Sequence, residues 1–214
     1  KQVQIFEKSE YEMFKDEVKS YKPDVIGFTA VSSQFSFVAD LCDLAKDISP
    51  KIVTVCGGIH PTLYPECLKE AKNLDTIFRG DSEVPFLNFL QSIKNNQSWE
   101  DNESIAYLRK DGTVKRNKLA ELPTPEDLDK MPFPDRETFS YDKILKKVGI
   151  ASFHFTRGCP FVCTYCSNIG IAKVYGQSRY NIRQASPEHS IREIEDVVLK
   201  NPDVGKKYII YLTD

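Results

Sequence analysis

No stretch of this sequence stays apolar over the roughly 18 residues that a membrane-spanning helix needs, so that kind of anchor is not expected. No leader-like segment opens it, and a cytoplasmic location follows as the expectation. Lys1 rather than Met stands first, which suggests a piece of a longer protein. Charge of one sign is lacking too: 29 Lys and Arg against 31 Asp and Glu leave a net −2, so no nucleic-acid partner is expected from bulk attraction. There is no internal repeat and no low-complexity segment. Tryptophan occurs once, at Trp99 in the polar stretch 95–103, where it can cover a core edge and is given no other role. What is present is apolar residue enough, 41% with 13 Phe and 10 Tyr, to fill sizeable cores in 214 residues. Six cysteines in a chain without secretory features argue for a reducing compartment.

Three of those cysteines dominate the chemistry. Cys159, Cys163 and Cys166 lie at CxxxCxxC spacing within Thr156-Arg157-Gly158-Cys159-Pro160-Phe161-Val162-Cys163-Thr164-Tyr165-Cys166. Thiolates suit zinc or iron–sulfur clusters. A zinc site usually takes two CxxC-like or Cys/His pairs, and no second pair exists. A ferredoxin-type carrier would show CxxCxxC and a distant fourth cysteine followed by proline. A cubane cluster is usually held by four thiolates, so three leave one iron open to a non-protein ligand. Cys42, Cys56 and Cys67 fall on predicted helices and a strand and read as small core residues.

The stretch closely resembles the signature of the radical S-adenosylmethionine superfamily, including the aromatic Tyr165 before the last cysteine. The resemblance implies a 4Fe–4S cluster on Cys159, Cys163 and Cys166, with the open iron taking S-adenosylmethionine. Phe153 to Pro160 looks like a strand ending in a tight loop, where that family carries the motif at its barrel mouth. Tyr165 would lie near the adenine. Arg183 matches the first arginine of an Arg-x-Arg-Ser-Pro-Glu pattern whose second arginine is here Ala185. Asp214 stands where many relatives have Gly-Gly-Glu, and is a candidate contact for the methionine part.

Upstream, short apolar runs alternate with amphipathic stretches. Val3–Phe6, Asp24–Ala30, Lys51–Cys56 and Leu74–Phe78 read as strands. Ser9 with Glu12 is a capping box for a helix whose inner face is Phe14, Val18 and Tyr21. Val38, Leu41, Ala45 and Ile48 mark a second helix, Pro65 to Ala71 a short one, and Ser82 caps a last one with Phe86, Phe89, Leu90 and Ile93 inward. This alternation predicts an α/β, doubly wound parallel sheet, whose ligands bind beyond the carboxyl ends of the strands. There the chain carries Thr29, Ser32 and Ser33, then Gly57-Gly58-Ile59-His60-Pro61-Thr62, then Arg79-Gly80-Asp81-Ser82-Glu83.

These segments resemble the Rossmann-like cobalamin-binding domain that precedes the cysteine motif in many radical enzymes. Thr29, Ser32, Ser33, Gly57 and Gly58 would line the corrin edge and nucleotide tail, and His60 is counted with them as a backbone-positioning residue. No Asp-x-His-x-x-Gly lower-ligand motif occurs. Ile105–Arg109 and Val114–Arg116 alternate around Asp111-Gly112, a hairpin signal. Leu122–Asp135, with four prolines, reads as a stiff connector, and its Asp127-Leu128-Asp129 and Pro132-Phe133-Pro134-Asp135 match a segment common in those radical enzymes. Ser186-Pro187-Glu188 starts a helix with an Ile191, Ile194, Val198 stripe, followed by a strand at Tyr208–Leu212. Glu193 and Glu195 are expected to be solvated, His189 exposed and His154 a strand residue.

The division expected is 1–97 for the cobalamin-type domain, 98–145 for hairpin and linker, and 146–214 for the start of a (β/α) partial TIM barrel. The resemblance implies an enzyme that cleaves S-adenosylmethionine to a 5′-deoxyadenosyl radical, with cobalamin as second cofactor and a flavodoxin- or ferredoxin-type one-electron reductant. Methyl transfer to an unactivated carbon is the reading preferred. A porphyrin-ester-cyclase-like ring closure or rearrangement is the alternative, and a non-catalytic metal-binding or electron-transfer module the third.

Overall fold

The computed structural model describes residues 9–213. The strand expected at Val3–Phe6 and the side chain of Asp214 lie outside them. The chain separates into two compact units. The first runs to Glu121 and takes in Lys173–Gly176; the second holds Leu122–Ala172 and Gln177–Asp214.

The first unit opens with helix α1 (Glu10–Tyr21). Ser9 and Glu12 form the expected reciprocal cap, the Ser9 backbone N–H donating to Glu12 at 2.8 Å. Val18 is the inward residue of this helix, but Tyr21, expected beside it, is 83% exposed in the last turn. Strand β1 (Val25–Thr29), helix α2 (Phe35–Ile48) and strand β2 (Val53–Gly57) follow. A five-residue helix α3 (Ile59–Leu63) and a 3-10 turn (Pro65–Lys69) then lead to β3 (Thr76–Phe78), α4 (Glu83–Lys94), β4 (Ile105–Leu108) and β5 (Val114–Arg116). The sheet order is β1-β2-β3-β4-β5, parallel through β3 and antiparallel beyond it. This is the α/β architecture with a parallel sheet that the alternation predicts.

The hairpin, grouped from sequence with the linker in 98–145, extends the sheet: Ile77 pairs with Ala106 and Phe78 with Ile105. Its turn forms as expected, Asp111 Oδ1 accepting from the Thr113 N–H at 2.9 Å and Gly112 taking φ +80°. Central β2 and β3 are buried, whereas β1 is only half-buried despite its apolar run; among the described residues it has a neighbour on one side alone. One core face gathers Phe35, Val38, Cys42, Cys56, Leu68 and Ile77. The other gathers Val55, Phe78, Phe89 and Ile105, with Trp99 as its lid at 5.6 Å from the Phe89 ring. Lys46 ties the strands together from below. Its ammonium reaches Asp75 at 2.6 Å, and the same carboxylate accepts from the Thr54 N–H at 2.8 Å.

In the second unit the proline-rich connector is not extended throughout. Thr124 caps a helix α5 (Pro125–Lys130) reciprocally with Asp127, and Pro125 sits in the first turn, where a missing N–H costs nothing. Helix α6 (Tyr141–Val148), strand β6 (Ile150–His154) and β7 (Thr156–Arg157) follow, then helix α7 (Ser167–Val174), β8 (Arg183–Gln184), α8 (Pro187–Lys200) and β9 (Ile209–Thr213). β6 and β9 run parallel with α8 between them in sequence, a strand–helix–strand unit. Their core holds Leu145, Ala151, Phe153, Val197 and Tyr208.

Three corrections fall on α8. The buried position of its stripe is Val197, while Ile191 is 55% exposed. Glu193 is 6% exposed and joined to Arg136 at 2.7 Å, with the guanidinium 4.9 Å over the Phe153 ring. His189, expected outside, is buried against Phe133, its Nδ1 at 3.1 Å from the Asp129 carbonyl. These partners come from the Asp-Leu-Asp and Pro-Phe-Pro segments, which a helix-face argument cannot see.

Candidate functional site

Two groups of residues were singled out by sequence, and each falls within one unit. In the first unit, Thr29 ends β1, Gly57 ends β2, and the turn Ser32–Gln34 opens α2, all at the carboxyl end of the parallel strands. Thr29, Ser32 and Ser33 are exposed there. Gly58 adopts φ +96° and ψ −170°, a conformation essentially confined to glycine. A Cβ on it would stand 2.7 Å from Thr29 Oγ1 and 2.9 Å from the Ala30 carbonyl. The β1 and β2 loops thus approach so closely that only hydrogen fits between them. Gly57 is different: a Cβ there meets nothing nearer than 4.0 Å.

His60 leans back into the protein. Its Nδ1 lies 3.1 Å from Ser32 Oγ, its ring 4.5 Å from Phe35, and its Nε2 is buried with no hydrogen-bond partner. Burial holds its pKa below the ordinary histidine value, with Glu70 acting in the opposite sense. The ring positions Ser32 rather than offering a nitrogen to solvent. Thr62 Oγ1 donates to the Gly58 carbonyl at 2.7 Å and accepts from the Gly80 N–H at 3.0 Å, joining the second and third loops. Ser82 does not cap α4 as expected; its hydroxyl donates to the Gly80 and Arg79 carbonyls at 3.0 and 3.4 Å. Tyr175 was missed by sequence. Its hydroxyl reaches this end as well, accepting from the Asp81 N–H at 2.9 Å, and a Cβ on Gly80 would fall on that hydroxyl. A pairing 94 residues apart leaves no local signal. The exposed hydroxyls and the side-chain-free Gly57 leave an open ledge that fits a flat macrocycle and its amides.

In the second unit the cysteine loop runs between β7 and α7. Gly158 has φ +89°, and a Cβ on it would fall on the Asn181 carbonyl. The Cys159 N–H donates to the Tyr180 carbonyl at 2.9 Å, and that of Cys166 to the Cys163 carbonyl at 3.0 Å. All three thiols are free; Cys163 is exposed, Cys159 and Cys166 half-buried. Tyr165 is 91% exposed. Among the described residues no three His, Cys, Asp or Glu side chains converge as a preformed metal centre. The donor set fits an iron–sulfur cluster in its chemistry, three accessible thiols on eight residues, while the loop as folded does not gather them. Arg183, on β8 opposite Arg157, is buried with its guanidinium 5.1 Å from the Tyr180 ring. Burial pushes the pKa of Cys42, Cys56 and Cys67 up to about 12, as suits core thiols.

Residues 4–90 match the family model of the B12 binding domain, so the first unit is a Rossmann-like domain of the cobalamin-binding class. Relatives extend the likeness through the cysteine loop. The anaerobic magnesium-protoporphyrin IX monomethyl ester cyclase of Rubrivivax gelatinosus is 35% identical over 89% of this chain and 34% of its own length. The cytidylyl-2-hydroxyethylphosphonate methyltransferase of Streptomyces wedmorensis is 28% identical over 87% and 38%. Among solved structures, the cobalamin-dependent S-adenosylmethionine radical enzyme OxsB superposes with TM-score 0.72 at 19% identity, over 95% of this chain and 27% of that one. TsrM, a radical S-adenosylmethionine methyltransferase from Kitasatospora setae, gives 0.68 at 14%, over 95% and 39%. The similarity to cyclase and methyltransferase relatives runs through both units, and the likeness to the solved structures is one of fold. The chain spans about a third of the length of the curated relatives it matches. No helix among the described residues is long and apolar enough to cross a membrane.

Proposed function

We propose that this chain is the cofactor-binding part of a cobalamin-dependent radical enzyme that methylates an unactivated carbon. The observation that carries the proposal is the pairing, in one chain, of a B12 binding domain with an accessible three-thiol loop at CxxxCxxC spacing. Cys159, Cys163 and Cys166 would hold a 4Fe–4S cluster, the loop closing its thiols around it. When bound, the cofactors would supply an electron from the cluster and a methyl group carried on cobalamin for radical methylation.

The chain's own residues bind, orient and exclude water. Gly158 lets the loop press against the Asn181 carbonyl, which sets where Cys159 points. Phe161 and Val162, exposed now, would cover the cluster and keep water from it. Tyr165 offers an aromatic face to the adenine, and Arg183 braces β7 from beneath. Asp214 is proposed for the methionine part. In the first unit Thr29, Ser32 and Ser33 donate hydroxyls to the corrin edge or tail, His60 fixes Ser32, and Gly57 and Gly58 leave room for both. The strand–helix–strand unit β6–α8–β9 begins the barrel, and the 98–145 region joins the domains, its hairpin completing the sheet. A soluble one-electron donor in the cytoplasm, flavodoxin or ferredoxin in kind, would reduce the cluster.

A second reading is favoured by the 35% identity to a porphyrin-ester cyclase: ring closure or rearrangement in place of methyl transfer. The test uses the full-length protein, reconstituted anaerobically with iron and sulfide. Reductive cleavage of S-adenosylmethionine to 5′-deoxyadenosine is expected and must vanish in Cys163→Ala. A cluster that forms without any cleavage leaves only the electron-transfer module. Transfer of label from methyl-labelled S-adenosylmethionine to product separates methylation from cyclisation.

A further inference from the structure

Arg79 follows directly on β3, and its backbone N–H donates to the Ser104 carbonyl at 2.8 Å. The register that pairs Cys56 with Ile77 carries Gly57 beside Phe78 at the carboxyl end of the sheet, and Arg79 is the next residue on. Thr62, bonded to both the Gly58 carbonyl and the Gly80 N–H, holds the two loops in step on either side. The Arg79 side chain is half-buried, and its Nε is buried with no hydrogen-bond partner. Among the described residues no carboxylate pairs with it. Arg116, close by, is already joined to Glu66 at 2.5 Å, and Glu66 is shared with Lys69 at 2.6 Å. Burial first, and then the like charge of Arg116, hold the Arg79 pKa below the ordinary arginine value. A buried guanidinium N–H without an acceptor is costly, and the cost is recovered when an anion arrives.

We propose that Arg79 binds the phosphodiester of the cobalamin nucleotide tail, pairing its guanidinium with two phosphate oxygens at the carboxyl end of β3. The corrin side chains are neutral amides, so the phosphodiester is the anionic group of that cofactor. A planar guanidinium fork matches two phosphate oxygens side by side. The inference rests on the cobalamin reading and adds to it a charged contact on the third strand, where only the first two had been assigned.

Two corrinoids isolate the interaction. Cobinamide lacks the nucleotide tail, and cobinamide phosphate adds to it only the phosphate. Full-length, corrinoid-free protein is titrated with each and followed by corrin absorbance. In the unaltered protein cobinamide phosphate is expected to bind about tenfold or more tighter, as a charge-assisted bond implies. Arg79→Gln should erase that difference while leaving the cobinamide Kd unchanged, and Arg79→Lys should keep part of it. Trp99 fluorescence during urea unfolding checks that the variants fold alike. Equal binding of the two corrinoids by the unaltered protein overturns the proposal. So does an Arg79→Gln variant that weakens both equally, because Arg79 would then only shape the loop. Failure of the unaltered protein to bind either corrinoid overturns the cobalamin reading itself.

Discussion

Replacing Gly58 with alanine tests how tightly the carboxyl end of the sheet is built. The residue sits at φ +96° and ψ −170°, and holding a side chain there costs on the order of 1–3 kcal/mol. The new methyl also meets Thr29 Oγ1 at 2.7 Å and the Ala30 carbonyl at 2.9 Å. The carbonyl is backbone and cannot swing aside, so overpacking adds roughly 1–3 kcal/mol. Together about 2–6 kcal/mol is a large part of the 5–15 kcal/mol that holds a typical domain. Trp99, the only tryptophan, is half-buried and packs over the core of this unit against Phe89 and Tyr107, so its fluorescence follows the unit's unfolding. The urea midpoint of Gly58→Ala should fall by about 1 M or more. Gly57→Ala is the internal control: a Cβ there meets nothing closer than 4.0 Å, and the midpoint should move little while corrinoid affinity drops. If the two variants unfold together, the close approach of the β1 and β2 loops is not what the glycine pair secures.

Other outcomes follow from the same geometry. Brief iodoacetamide treatment of the native apo-protein at pH 8 should label Cys159, Cys163 and Cys166 and spare Cys42, Cys56 and Cys67, whose pKa values burial pushes up to about 12; mass spectrometry reads the pattern, and labelling of the core thiols would contradict it. Anaerobic cluster loading should then protect all three loop cysteines. Glu193→Ala leaves the Arg136 charge buried against Phe153, so a loss of about 3 kcal/mol or more is expected in unfolding followed by circular dichroism, and a loss under about 1 kcal/mol would refute the buried pair. The depressed pKa of His60 means that the folded chain resists a proton which the unfolded chain accepts; stability is therefore full above about pH 6.5 and declines as pH falls toward the folded value, a slope that His60→Gln should flatten.

Local signals carried much of this fold. The reciprocal Ser9–Glu12 cap, the Ser186 cap that accepts from the His189 N–H at 3.1 Å, and the Asp111-Gly112 turn each depend on neighbours three residues apart or fewer. Periodicity placed α1, α2, α4, α8 and the parallel strands for the same reason. It failed where distant partners decide. Nothing in the sequence of the hairpin says that it pairs with β3 rather than standing alone. Thr124–Asp127 was present as a cap, but four prolines nearby outweighed it. Glu193 and His189 look like solvent residues on a helical wheel until Arg136, Phe133 and Asp129 arrive from some 50 to 60 positions earlier. The candidate site divides in the same way. The cysteine spacing and the Gly57-Gly58 pair are legible locally, whereas Arg79 and Tyr175 gain meaning only from the register and loop contacts around β3.

Strand β9 has practical weight for anyone handling this polypeptide. Ile209, Tyr211 and Leu212 are 64%, 54% and 59% exposed, and the strand pairs with β6 alone among the described residues. Where that edge stays uncovered, an apolar ribbon with unpaired amides recruits further ribbons, and a polypeptide that leaves it open self-associates through it. Charged replacements at those outward positions, rather than milder buffers, are the remedy the geometry recommends.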